Sequence, residues 1–224
     1  MSRQLTFDLP VRMASGREDF FVTEANAMAV AEIDRWQHWP AGKLALIGDE
    51  GAGKTHLVHV WAEASGARIL SAQDLLQRDP APGHLAIEDV PAIAGDRDAE
   101  TALFHWHNLV LAEGGRLLLT GTTPPALWQI ALPDLASRMR GTPSVRLEEP
   151  DDMLLQAVLL KLFADRQITP QPSLLPWLLR RMDRSFAAVG RVVAALDAEA
   201  LRTGRAVGPK LAADVLERFD DPAT

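Results

Sequence analysis

Residues 48–55, Gly48-Asp49-Glu50-Gly51-Ala52-Gly53-Lys54-Thr55, form a complete GxxxxGK[ST] loop, the feature that most narrows what this chain can fold into. An apolar run, Lys43-Leu44-Ala45-Leu46-Ile47, precedes it, and a helical pattern over 56–64 follows. This strand–loop–helix context turns a pattern match into a physical statement. Glycines let successive backbone N–H groups curl around a phosphate, and the helix that follows offers its positive N-terminal end. In such a loop Lys54 reaches the terminal phosphates and the Thr55 hydroxyl ligates Mg²⁺. Gly48, Gly51, Ala52, Gly53, Lys54 and Thr55 are therefore candidate nucleotide-binding residues. The bland alternative is a plain glycine-rich turn, and the flanks speak against it.

The pattern along the chain extends this start into an α/β core. Helical spacing runs over 25–36 and breaks at Pro40-Ala41-Gly42. Strands are expected at 43–47, 68–71, 85–90, 116–121 and 144–147, with helices after the phosphate loop, at 72–77 and at 98–113. Strands alternating with helices predict a parallel sheet covered on both faces. From Asp151 onward only helical periodicity remains, with helices expected at 151–165, 173–183, 185–203 and 209–219. The organisation read from sequence is a flexible tail over 1–17, an α/β nucleotide-binding core over 18–149 and a helical lid over 150–224. An α/β core followed by a small helical bundle is the outline of an AAA+ module.

Composition excludes several classes. No run reaches the ~18 apolar residues a membrane span needs, and residues 1–10 lack the apolar stretch of a secretory signal. The absence of cysteine rules out disulfides and thiolate chemistry. A cytoplasmic protein is the expectation. The net charge of −7, with arginines scattered, disfavours tight direct binding to DNA and favours a protein partner. The six tryptophans read as packing residues. His56, His59, His105 and His107 lack the acids or cysteines that a metal site would need.

A nucleotide hydrolase needs acids at the end of a strand near the phosphate loop, to hold Mg²⁺ and to position water. Glu88 and Asp89 stand there, Glu88 as the candidate Mg²⁺ partner of Thr55 and both as candidate catalytic acids. Solvated acids at a strand end are the alternative. Glu88 occupies the place where Asp is commoner, and its extra methylene displaces the carboxylate from catalytic geometry. Thr122, at the end of the next strand, either senses the terminal phosphate or caps the strand. Arg138, after a helix and before the last core strand, is either a trans-acting finger in an oligomeric assembly or a solvated surface arginine.

These segments in this order resemble the AAA+ part of the bacterial replication initiator DnaA, and more closely its short relatives, the Hda-type regulatory inactivators. Asp19-Phe20-Phe21-Val22, with Asn26, resembles the segment that packs on adenine, which makes Phe21 and Val22 nucleotide-binding candidates. Gly51-Ala52-Gly53-Lys54-Thr55-His56-Leu57 is similar to the GxGKTHL loop and adds His56. Leu132-Pro133-Asp134-Leu135-Ala136-Ser137-Arg138 is very close to the LPDLASR segment of Hda proteins, which carries their arginine finger. Gln4-Leu5-Thr6-Phe7-Asp8-Leu9 resembles their sliding-clamp peptide, with Leu5, Phe7 and Leu9 filling an apolar groove and Gln4 anchoring. The chain stops at Thr224, before DnaA's DNA-binding domain would begin.

The resemblance implies ADP or ATP with Mg²⁺ as ligands, and DnaA and the polymerase sliding clamp (its β subunit) as partners. It also admits a homo-oligomer. The implied function is promotion, in trans, of the hydrolysis of DnaA-bound ATP on the DNA-loaded clamp, which prevents re-initiation. The chain departs from the family pattern at Phe7 and Asp8 of the clamp peptide, at Glu88, and at two further places. Thr122 and Thr123 replace the Asp-Arg of the TGDRPP segment, and Ala187 stands where the lid carries a sensor arginine. Arg184 and Arg191 are the nearby substitutes. Slow or absent intrinsic hydrolysis and a resting ADP state are expected. Two other readings stay open: a self-contained ATPase of helicase-loader type, and a scaffold that nucleotide merely stabilises.

Overall fold

The computed structural model describes residues 12–13 and 21–220, beginning with an antiparallel ladder of β1 (Arg12–Met13) on β2 (Phe21–Val22). Arg12 and Met13 therefore leave the flexible tail to which the sequence assigns them. The core is a five-stranded sheet of β3 (Lys43–Ile47), β4 (Arg68–Ser71), β5 (Leu85–Glu88), β6 (Leu117–Gly121) and β7 (Ser144–Arg146). Every pairing is parallel, and the strand order is β4-β5-β6-β3-β7. Strand β3 thus has β6 on one side and β7, the last strand of the core, on the other. The crevice at the carboxyl ends of such strands, where the strand order reverses, is where open α/β sheets bind ligands.

Alternation along the strands divides the core between two faces. Ala45, Ile47, Leu85, Ile87, Leu117 and Leu119 point to one side, where α3 (Arg97–Ala112) and α4 (Pro133–Arg140) cover them with Leu103, Trp106, Val110, Leu135 and Met139. Leu44, Leu46, Ala86, Leu118 and Val145 point to the other, beneath α1 (Ala27–Asp34) and α2 (Lys54–Ser65). Burial on both faces explains why these strands read as unbroken apolar runs. The helix expected over 25–36 is shorter than its periodicity suggests. It ends at Asp34, and 3-10 turns at Trp36–His38 and Pro40–Gly42 lead into β3.

The lid has a core of its own, shared by α5 (Asp152–Asp165), α6 (Leu174–Leu179), α7 (Phe186–Thr203) and α8 (Pro209–Asp220). Side-chain caps fix where two of these helices begin. The Asp151 side chain accepts the Leu154 N–H, and Ser185 accepts the Ala188 N–H. Helix α6 is shorter than the expected 173–183. Beyond Leu179 the chain continues as a turn that still delivers Met182 to the lid core, then reverses to set Ser185 as the cap of α7. Among the described residues no helix is long and apolar enough to cross a membrane.

Candidate nucleotide-binding site

The loop after β3 is tied to its neighbour strand, since the Gly48 N–H donates to the Gly121 carbonyl at 3.2 Å. Gly51 and Gly53 have φ of 77° and 100°, a region that only glycine enters freely, and α2 starts at the next residue, Lys54. The Lys54 ammonium folds back across the loop and donates to the Gly48 and Asp49 carbonyls at 2.8 and 2.9 Å. Partial burial holds its pKa below the ordinary lysine value, while Asp49, Asp89, Glu50 and Glu88 pull the other way. The Thr55 hydroxyl donates to Glu88 Oε1 at 2.6 Å, so the two proposed Mg²⁺ ligands stand side by side. Asp89 follows β5 in a left-handed conformation, φ 54°, and its N–H donates to the buried Thr120 hydroxyl at 2.9 Å. An Asp tolerates that conformation better than most side chains, which lets the chain turn sharply at the strand end. Thr122 lies one residue past β6, at the same edge of the sheet.

Beside the loop is an open cleft. Phe21 and Asn26 form one wall, and Ala52, Gly53 and His56 line the floor. The Asn26 amide donates to the Phe21 carbonyl at 2.8 Å and its Oδ1 accepts the Thr23 N–H at 2.9 Å, which fixes that wall. Val22 instead packs against the core cluster around Leu44 and Leu46. Leu147 and Glu148 close one side, and Leu154, Val158 and Phe186 bring the lid to the other.

The lid also latches onto the loop itself. The Phe186 N–H donates to the Gly51 carbonyl at 3.2 Å. A Cβ at Gly53 would come within 2.7 Å of the Phe186 ring, and one at Gly51 within 2.7 Å of the Ser185 Cβ. The glycines of the motif thus serve lid docking as well as loop curvature. Ala187 is exposed. Arg184 is engaged elsewhere, donating to Asp152 at 2.6 Å and to the Pro150 carbonyl at 3.3 Å. Sequence reading missed Ser185, Phe186, Leu147, Glu148, Leu154 and Val158, because nothing local in the sequence announces contacts across a core–lid junction.

Arg138 stands apart from these residues. It occupies the last turn of α4 and is exposed, with its guanidinium 5.0 Å over the Phe104 ring. Its backbone carbonyl accepts from the Lys43 ammonium at 2.8 Å, at the N-terminal end of β3. Pro143, just beyond α4, accepts the Ala45 N–H, which fixes this end of the helix at the N-terminal edge of the sheet. At ~3.3 Å per residue, the five residues of β3 put roughly 16 Å between that edge and the phosphate loop.

No family model matches this chain. Solved structures do. Domain III of the Thermotoga maritima replication initiation protein DnaA superposes with a TM-score of 0.80 at 20% identity, over 96% of this chain and 100% of that one. The replication initiator DnaA bound to AMPPCP and single-stranded DNA gives 0.68 at 18% identity, over 91% of this chain and 67% of that one. AMPPCP-bound DnaA from Aquifex aeolicus gives 0.67 at 16%, over 90% and 68%. At such identities the likeness speaks to fold. The chain has the AAA+ fold of DnaA domain III, a P-loop parallel-sheet core with helices on both faces followed by a small helical lid.

Proposed function

We propose that this chain is a nucleotide-binding AAA+ regulator of replication initiation that docks on the DNA-loaded sliding clamp and promotes hydrolysis of ATP held by DnaA. One observation carries the reading: Arg138 is exposed at the edge of the sheet remote from the chain's own phosphate loop. An arginine placed there is out of reach of a nucleotide on its own loop and available to one on a partner.

Each end of the molecule then has its task. At the loop, backbone N–H groups and Lys54 hold the phosphates, and Phe21, with the Asn26-braced wall, faces the base. Two of the similar DnaA structures are described with AMPPCP, which supports an adenine nucleotide here. The hard oxygens of Thr55 and Glu88, already within hydrogen-bond distance, suit Mg²⁺, which would supply charge neutralisation to the phosphates. With Glu88 as the acid there, and no sensor arginine at Ala187, the chain's own turnover is slow. At the other end the Arg138 guanidinium stabilises charge developing on the phosphoryl group of the partner's nucleotide. Gln4, Leu5, Phe7 and Leu9, the proposed clamp contacts, lie outside the described residues.

The test is hydrolysis of ATP preloaded on the cognate DnaA, with clamp on DNA, with and without this protein and its Gln4→Ala/Leu5→Ala variant. Stimulation that disappears in the variant is the expected result. Absence of stimulation by well-folded protein would move the weight to a self-contained ATPase.

A further inference from the structure

We propose that two buried charges of opposite sign, Glu100 and Lys43, are positioning residues for Arg138, a proposal that rests on Arg138 acting in trans as above. Helix α4 is short and buries only Leu135 and Met139, so apolar packing alone gives it little to fix its axial position. It is gripped at both ends instead. At its start the Glu100 carboxylate, 0% exposed, accepts three backbone N–H groups: Gly95 at 2.8 Å, Ala131 at 2.9 Å and Leu132 at 2.7 Å. Leu132 is the residue that precedes the helix. At its other end the Lys43 ammonium, on a residue only 6% exposed, donates to the carbonyl of Arg138 itself, and the Thr142 hydroxyl donates to the same oxygen at 2.9 Å.

The signs match the helix. A carboxylate holds the two residues that lead into α4, near its positive end, and an ammonium holds a carbonyl of its last turn, the arrangement that the helix dipole favours at each end. His107 completes the second grip. An ammonium has no lone pair, so the His107 Nε2, 3.3 Å from Lys43 Nζ, must accept, which leaves the ring proton on Nδ1 beside Asn108 Oδ1 at 3.4 Å. Burial and the neighbouring Lys43 hold this imidazole neutral, with its pKa lowered to about 4. Charges in a protein interior are costly, and a helix needing only to cover the sheet would be held more cheaply by apolar side chains. The grips instead set where the backbone of Arg138 lies, and the reach of its guanidinium follows from that.

Glu100→Gln, Lys43→Met and Thr142→Val are compared with the intact protein and with Arg138→Ala. Amide hydrogen exchange comes first. Roughly tenfold or greater acceleration across 131–142, with the β3 and β6 amides unchanged, is expected for Glu100→Gln and Lys43→Met. The clamp-dependent hydrolysis assay comes second. A maximal rate roughly 10- to 100-fold lower, at a half-saturating concentration within about twofold of the intact protein, is the signature of a misplaced catalytic group. Unchanged exchange over 131–142 overturns the proposal, as does a loss of affinity with the maximal rate retained, or protection lost across the whole sheet. Thr142→Val removes a single hydroxyl donor and keeps the test open if either charge variant fails to fold; roughly threefold effects on both readouts are expected, and none would overturn the proposal. Full stimulation by Arg138→Ala would instead sink the trans reading, while the exchange data would still decide whether the two charges hold α4.

Discussion

At its C-terminal end, β3 runs into a loop whose own backbone and side chains make the site: two left-handed glycines, the returning Lys54 and the adjoining Thr55. At its N-terminal end the polar groups come from remote parts of the chain, with Lys43 meeting His107 and the Arg138 carbonyl. The first end is a concave, acid-rimmed cleft suited to holding a ligand. The second is a buried polar frame beneath an exposed arginine, suited to presenting a group outward. On the proposed reading one strand separates two tasks by its own length, and damage at one end should leave the other working.

The largest effect is expected at the presenting end. Glu100→Ala leaves three backbone N–H groups without their carboxylate acceptor and should cost about 3–5 kcal/mol of folding stability, read by urea denaturation. Nucleotide affinity in the fraction that stays folded should not change. Next comes the cleft. Lys54→Ala removes the one lysine of the loop and should weaken nucleotide binding by about 2–3 kcal/mol, roughly 30- to 150-fold in a fluorescent-nucleotide titration. Exchange over 131–142 should not respond.

A smaller effect sharpens the contrast. Phe186→Ala removes the half-buried ring that rests on Gly53, and should loosen lid docking by about 1–2 kcal/mol, seen as faster exchange at the start of α7. The effect of His107 appears only as the pH falls. Its pKa in the folded chain, about 4, lies below the ordinary value of 6.5, so the unfolded chain takes up the proton more readily between those values. Stability from this group is complete above about pH 6.5 and is lost as pH falls toward 4, a change of about 3 kcal/mol in urea melts that His107→Gln should flatten.

The same contrast explains what was legible in the sequence. The phosphate loop is contiguous, and its glycines, lysine and threonine announce themselves without reference to the rest of the fold. The strands were legible for the same reason, since burial on both faces leaves runs such as Leu85-Ala86-Ile87 and Leu117-Leu118-Leu119. Arg138 is singled out in the sequence by the segment that carries it. The residues beneath it are not. Lys43 opens an apolar run, Glu100 lies within an expected helix and His107 shows no metal-site partners, and only the sheet order brings them to one helix. Phe186 stayed hidden because its partner, Gly53, belongs to another layer of the molecule.

The most direct measurement is single-turnover hydrolysis of ATP bound to the cognate initiator on clamp-loaded DNA, driven by intact protein or by Arg138→Ala, with nucleotide binding by each measured in parallel. The account predicts that Arg138→Ala loses stimulation while binding its own nucleotide with unchanged affinity. Stimulation that persists in Arg138→Ala, or that vanishes only together with nucleotide binding, would contradict the assignment of the two ends of β3 to two different nucleotides.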